Sequence, residues 1–200
     1  MPLHKGNQKR IYFEGATYFV TCATHNWVEY FKEPIFCELF IEVLKLAKEI
    51  KGFDLYAFVV LLDHFHFLFQ PHKAEELPKI MQFIKRNFTR NINFIIGYET
   101  EGAIYKSLLQ LGREYKIYKT LIEGHYKVLF DLKNQYSQKI DPQYHKFHWM
   151  KSYRDHYIRN DKDFDEHVKY IYDNPFKHKI FDAENYKYIF TNYPKLINEF

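Results

Sequence analysis

Hydrophobic side chains recur along this chain with two periods, and the changes from one to the other mark out its elements. Runs rich in aromatic and β-branched residues near 16–24, 53–61 and 64–70 fit strands. Leu39, Val43, Leu44 and Ala47, and later Leu77, Ile80, Met81, Ile84, Phe88 and Ile92, recur at three- and four-residue spacing instead, which predicts helices near 35–51 and 75–95. A further strand is expected near 152–158 and a helix near 163–174. The order βαββαβ and then α is the ferredoxin-like, split βαβ pattern of an α+β fold, an antiparallel sheet with helices on one face and the other face available. The expected organisation is one domain over residues 1–200 with a helical insertion at 97–148.

Within that insertion Ile104, Leu108, Leu111, Tyr115, Tyr118, Ile122, His125, Leu129, Leu132 and Tyr136 alternate four- and three-residue steps, a heptad-like seam weakened by Gly112 and Gly124. The seam predicts one long helix or a helical hairpin. Its apolar stripe must be buried either on the same domain or against a second subunit, and a homodimer is the expectation taken from it. His125 reads as an exposed or hydrogen-bonded helix residue and not as a ligand.

Two segments carry chemistry. In the strand near 64–70, which opens His64-Phe65-His66-Phe67, side chains at i and i+2 share a face, so His64 and His66 can converge on one metal ion while Phe65, Phe67 and Phe69 pack on the other side. Two imidazoles are too few to define a site. About a hundred residues later comes Asp163-Phe-Asp-Glu-His-Val-Lys-Tyr-Ile-Tyr-Asp-Asn-Pro175. Asp163 with Glu166 resembles a capping box, and Pro175 is expected to end the helix. At about 100° per residue, Asp163, His167, Tyr170 and Asn174 form a stripe beside the apolar one, while Tyr172 projects about 160° away from Tyr170. A phenol and an amide oxygen one turn apart could serve as nucleophile and third ligand.

The strand Tyr56-Ala-Phe-Val-Val-Leu-Leu-Asp-His-Phe-His66, the segment Tyr153-Arg-Asp-His-Tyr-Ile-Arg-Asn160 and the helix His167-Val-Lys-Tyr-Ile-Tyr-Asp-Asn-Pro-Phe-Lys-His178 resemble three signature blocks of the single-tyrosine HUH transposases, most closely the REP-associated tyrosine transposases. Gly15-Ala-Thr-Tyr-Phe-Val-Thr21 resembles their first strand, so the likeness covers roughly residues 9–96 and 149–182 in the family's order. It implies His64 and His66 as the histidine pair, Asn174 as the polar metal ligand and Tyr170 as the nucleophile. It also implies a divalent cofactor, Mg²⁺ or Mn²⁺, and cleavage of single-stranded or hairpin DNA through a 5′-phosphotyrosine. Leu62 stands where family members commonly have proline, and residues 97–148 exceed the family's usual length there. The same chemistry also serves relaxases and replication initiators, and a noncatalytic nucleic-acid-binding module would use the same open sheet.

Composition narrows the rest. With 46% hydrophobic residues in 200, the chain can bury a full core. Cys22 and Cys37 are too few for a disulfide scaffold. No run approaches a membrane span and the start lacks an apolar targeting core, so a cytoplasmic, nucleoid-associated protein is expected. A net charge of +4 is modest for a phosphate binder, so distribution matters more than total. Lys85, Arg86, Arg90, Arg154, Arg159 and Lys177 flank the signature blocks in sequence and are the candidate DNA contacts.

Overall fold

The computed structural model describes residues 12–73, 76–110, 112–137, 144–180 and 182–199. The elements run β1 (Tyr18–Ala23), α1 (Pro34–Lys51), β2 (Phe53–Val60), β3 (His64–Pro71), α2 (Leu77–Ile95), α3 (Glu101–Gln110), α4 (Arg113–Ile117), α5 (Lys119–Ser137), β4 (Arg154–Tyr157) and α6 (Asp161–Lys177). The sheet order is β2-β3-β1-β4 with every neighbouring pair antiparallel, so the sheet has the expected split βαβ topology. Local signals set the first turns. Pro34 opens α1, where its missing N–H costs nothing. Gly52 closes α1 at φ 65° with its N–H on the Lys48 carbonyl, and a Cβ there would meet His72 Nδ1 at 2.9 Å.

Alternation along β3 divides the molecule into two cores. Phe65, Phe67 and Phe69 join α1 and α2 in the larger one, whereas Leu68 joins Ala57, Val59, Leu61, Phe164, Ile171 and Ile189 in a smaller one beneath α6. A register shift between Leu55 and Ala57 lets Tyr56 and Ala57 both pack on the α6 side. The second face is therefore not left open, because α6 lies across β2 and β3. The outer edge of β2 is covered too, by Tyr188 and Ile189 near the C-terminus, which bond to Val60 and bridge to Val59.

Three expectations need correction. The last helix begins at Asp161, capped by the Asn160 side chain, which accepts the Asp163 N–H at 2.9 Å. Asp163 is thus one turn inside, and its carboxylate is used elsewhere. Pro175 does not end the helix, which runs on to Lys177. Finally, residues 101–137 form three helices and not one helix or a two-helix hairpin, with breaks at Gly112 (φ 52°) and Tyr118. α5 packs on α1 and α2, and Ile104, Ile122, Leu129, Leu132 and Tyr136 are buried in the chain's own larger core. The seam that motivated a second subunit is used internally at these positions. The Leu108 side chain and Leu111 lie outside the described residues. His125 is buried and accepts a hydrogen bond from Asn91 Nδ2 at 3.0 Å.

Candidate active site

β3 and α6 bring His64, His66 and Tyr170 together. The register pairs Thr21 with His66 on one side and with Arg154 on the other, so these three side chains share the face beneath α6. Thr21 Oγ1 lies 2.8 Å from His66 Nδ1 and Asp63 Oδ1 lies 2.5 Å from His64 Nδ1. Each imidazole is thereby oriented through one ring nitrogen, which leaves Nε2 for a ligand. The turn supplying Asp63 is held by backbone bonds on both sides: the Leu62 carbonyl accepts the Phe31 N–H and the Asp63 carbonyl accepts the Thr24 N–H.

From above, α6 contributes Tyr170 and Asn174. The Tyr170 ring sits 5.3 Å from the His66 ring and 5.7 Å from Phe19, whose own ring stacks on His66 at 5.1 Å. Tyr170 is 39% exposed, so its phenol reaches solvent from a wall of rings. Lys177, nearly two turns on, places its ammonium 4.3 Å from the centre of that ring. Asn174 is fully buried. Its Nδ2 donates to the Tyr170 carbonyl at 2.6 Å, and its Oδ1 has no protein partner.

His66 is 3% exposed, and its Nε2 is the second buried acceptor in this region without a partner. Burial, and then the neighbouring His64, hold the His66 pKa well below the usual imidazole range, so the ring is neutral, and in the tautomer whose Nδ1–H donates to Thr21 Oγ1 its lone pair lies on Nε2. Orphaned buried acceptors carry a large desolvation penalty. Two imidazole nitrogens and an amide oxygen form a donor set that suits a divalent first-row transition ion such as Mn²⁺ better than Mg²⁺, so of the two expected cofactors Mn²⁺ is the one the residues fit. A third imidazole stands close by, with the His178 ring 5.1 Å from His64.

A second grouping was missed in the sequence beyond its helix spacing. His156, Asp163 and His167 place potential ligand atoms within 4.8 Å of one another, a geometry that could hold a cation. Here those atoms bond to each other. Buried Asp163 accepts from Arg159 Nε at 2.9 Å, from the Arg159 N–H and from His156 Nε2 at 3.1 Å, while His167 Nδ1 donates to the Asp163 carbonyl. The Arg159 guanidinium holds the Asp163 carboxyl far below the usual carboxylate range. The cluster ties the first turn of α6 to β4. The sequence cue was Asp155-His156-Tyr-Ile-Arg159 followed by Asp163 and His167, legible only once β4 and α6 are adjacent.

The candidate DNA contacts scatter. Arg154 is on the site face and Lys177 over the nucleophile candidate, whereas the Arg159 guanidinium is spent on Asp163. Arg90 turns inward to Asn87 and Tyr126. Lys85 and Arg86 line a groove of about 590 Å³ with Tyr12, Lys151 and Tyr153, on the helix-layer side of β4.

A four-stranded split βαβ sheet with paired histidines under a tyrosine-bearing helix is the arrangement that the transposase resemblance implied, and the chain is similar to known proteins of that kind. Residues 13–107 match the family described as "Transposase IS200 like". A Haemophilus influenzae protein named as a REP-associated tyrosine transposase is 25% identical over 173 residues, covering 86% of this chain and 77% of that protein. A solved structure of a REP-associated tyrosine transposase bound to a REP hairpin shares the fold at TM-score 0.54 and 19% identity, covering 93% of this chain and 82% of that one. The resemblance read from the sequence thus holds, and the chain is similar to the REP-associated tyrosine transposases. Among the described residues no helix is long and apolar enough to cross a membrane.

Proposed function

We propose that this chain is a metal-dependent DNA strand transferase that cleaves single-stranded, hairpin-associated DNA through Tyr170. The observation that carries the reading is a pair of buried polar atoms without partners, His66 Nε2, whose ring lies between those of His64 and Tyr170, and Asn174 Oδ1, one turn beyond Tyr170 on α6. A divalent cation, Mg²⁺ or Mn²⁺, held by His64, His66 and Asn174 would polarise a non-bridging oxygen of the scissile phosphate. Tyr170 supplies the nucleophile: its Oη–P bond forms as the P–O3′ bond breaks, its hydroxyl proton passes to solvent, and the departing 3′ oxygen takes one up. The products are a 5′-phosphotyrosyl enzyme and a free 3′-hydroxyl. Attack on that phosphotyrosine by another 3′-hydroxyl restores the phenol and completes strand exchange with no external energy source.

Lys177 stabilises negative charge developing at the phenol oxygen and the phosphate, and Arg154 supplies a cation on the same sheet face. The hairpin held by the solved structural neighbour supports the choice of DNA partner. The test is covalent trapping. With a hairpin oligonucleotide copied from DNA beside the gene and with Mn²⁺ present, the wild type should give a protein–DNA band on a denaturing gel. Tyr170→Phe should give none, and Tyr172→Phe, altered on the far side of the helix, should match the wild type. A band that survives Tyr170→Phe, or cleavage unchanged in chelator, would sink the assignment.

A further inference from the structure

One exposed aromatic beside the histidine pair plays no part in the chemistry above. Trp27 is 53% exposed, and its ring stands 6.1 Å from the His64 ring in an edge-to-face arrangement. Its backbone lies in the left-handed region at φ 57°, directly after Asn26 at φ 55°. Asn tolerates that region, whereas a bulky residue there is strained, and strain kept at a site rim is held in place by its surroundings. The surroundings are visible. Thr24 Oγ1 donates to the Val28 carbonyl at 2.8 Å, the His25 N–H to the His148 carbonyl at 2.8 Å, and Thr24 bridges to Trp149. Both ends of the turn are pinned, yet the indole itself stays largely in water.

Folding gains little from a half-exposed indole on a strained backbone, and glycine or asparagine would occupy the turn at lower cost. We infer that Trp27 is a stacking platform for one unpaired nucleobase flanking the scissile phosphate. An indole face beside the proposed catalytic centre would clamp the strand whatever the base, since every base has a π-face. The inference rests on the reading that this site acts on single-stranded DNA.

The chain's only other tryptophan, Trp149, is buried and shielded from a bound strand, so a DNA-dependent change in indole emission reports on Trp27. The probe is the hairpin oligonucleotide above and a set in which a single abasic position is walked along its unpaired flank. Titration should quench the emission of the wild type and not that of Trp27→Phe. Trp27→Gly should bind about tenfold to a hundredfold more weakly, as expected for one lost stack, while melting no lower than the wild type. One abasic position should reproduce the loss in the wild type and add nothing in Trp27→Gly. Equal Kd for wild type and Trp27→Gly, or the same loss in both proteins at every abasic position, would overturn the platform. If the wild type still formed its covalent band, the nucleophile assignment would stand. A wild type that neither binds the oligonucleotide nor forms the band would overturn both.

Discussion

The two sides of β3 differ at alternate residues. Phe65 and Phe67 face α1 and α2 in a core of interlocking rings, while His64 and His66, one position away, face α6 and carry an unsatisfied acceptor. Both sets are buried. Burial alone therefore does not tell a packing residue from a candidate ligand; the histidine side differs in lying beside a tyrosine that reaches solvent. Period-two alternation lets one strand serve both ends at no cost to either, provided the register holds.

The contrast can be broken at neighbouring positions. Phe65→Ala should lower the unfolding free energy by about 3–5 kcal/mol, the usual cost of emptying a fully buried phenylalanine site, read from urea denaturation. His66→Ala should cost less, about 1–3 kcal/mol, since the loss of its ring contacts and of the Thr21 hydrogen bond is partly offset by removal of an unpartnered buried nitrogen, yet it should lose Mn²⁺ binding by calorimetry. A large stability loss at His66 with Mn²⁺ binding retained would erase the distinction.

The apolar side has a polar exception in His125, and pH can expose it. Burial, and then the Arg90 charge, hold its pKa down to about 4. In the unfolded chain it titrates near its ordinary value, so the unfolded state binds the proton first as pH falls. Stability that is complete above about pH 6.5 should thus decline on acidification towards pH 4, by on the order of 3 kcal/mol from this group. His125→Gln should flatten that slope in urea titrations at several pH values, and an unchanged slope would show that the histidine is not held neutral.

The smallest effect sharpens the polar side. Asp63→Asn keeps the shape but weakens the carboxylate that orients His64, so Mn²⁺ affinity should fall about 10- to 100-fold. Calorimetry of the variant against wild type reads it directly.

Much of this was legible in the residues. Period and spacing placed all four strands and the helices at 34–51 and 77–95, and the i, i+2 and i, i+4 rules put His64 with His66 and Tyr170 with Asn174. What stayed hidden depends on long-range contact. Asp163 looks like a cap because its chain neighbours suit one, but its partners include His156 across the α6–β4 junction. Pro175 looks like a terminator because propensity ignores a helix already held from below by Phe164 and Ile171. The seam from Ile104 to Tyr136 looked like an interface because periodicity reveals an apolar stripe and never what covers it. The strained turn at Trp27 has no period at all.

The hydrogen bond from Asn174 Nδ2 to the Tyr170 carbonyl has a mechanical consequence. A free asparagine amide can present either end; here the nitrogen is committed one turn back, so only the oxygen is left to take a ligand. The residue whose carbonyl enforces that orientation is the one whose phenol would attack. The two side chains are thus geared together through a single peptide unit, and any twist of α6 that re-aims the phenol re-aims the amide oxygen with it.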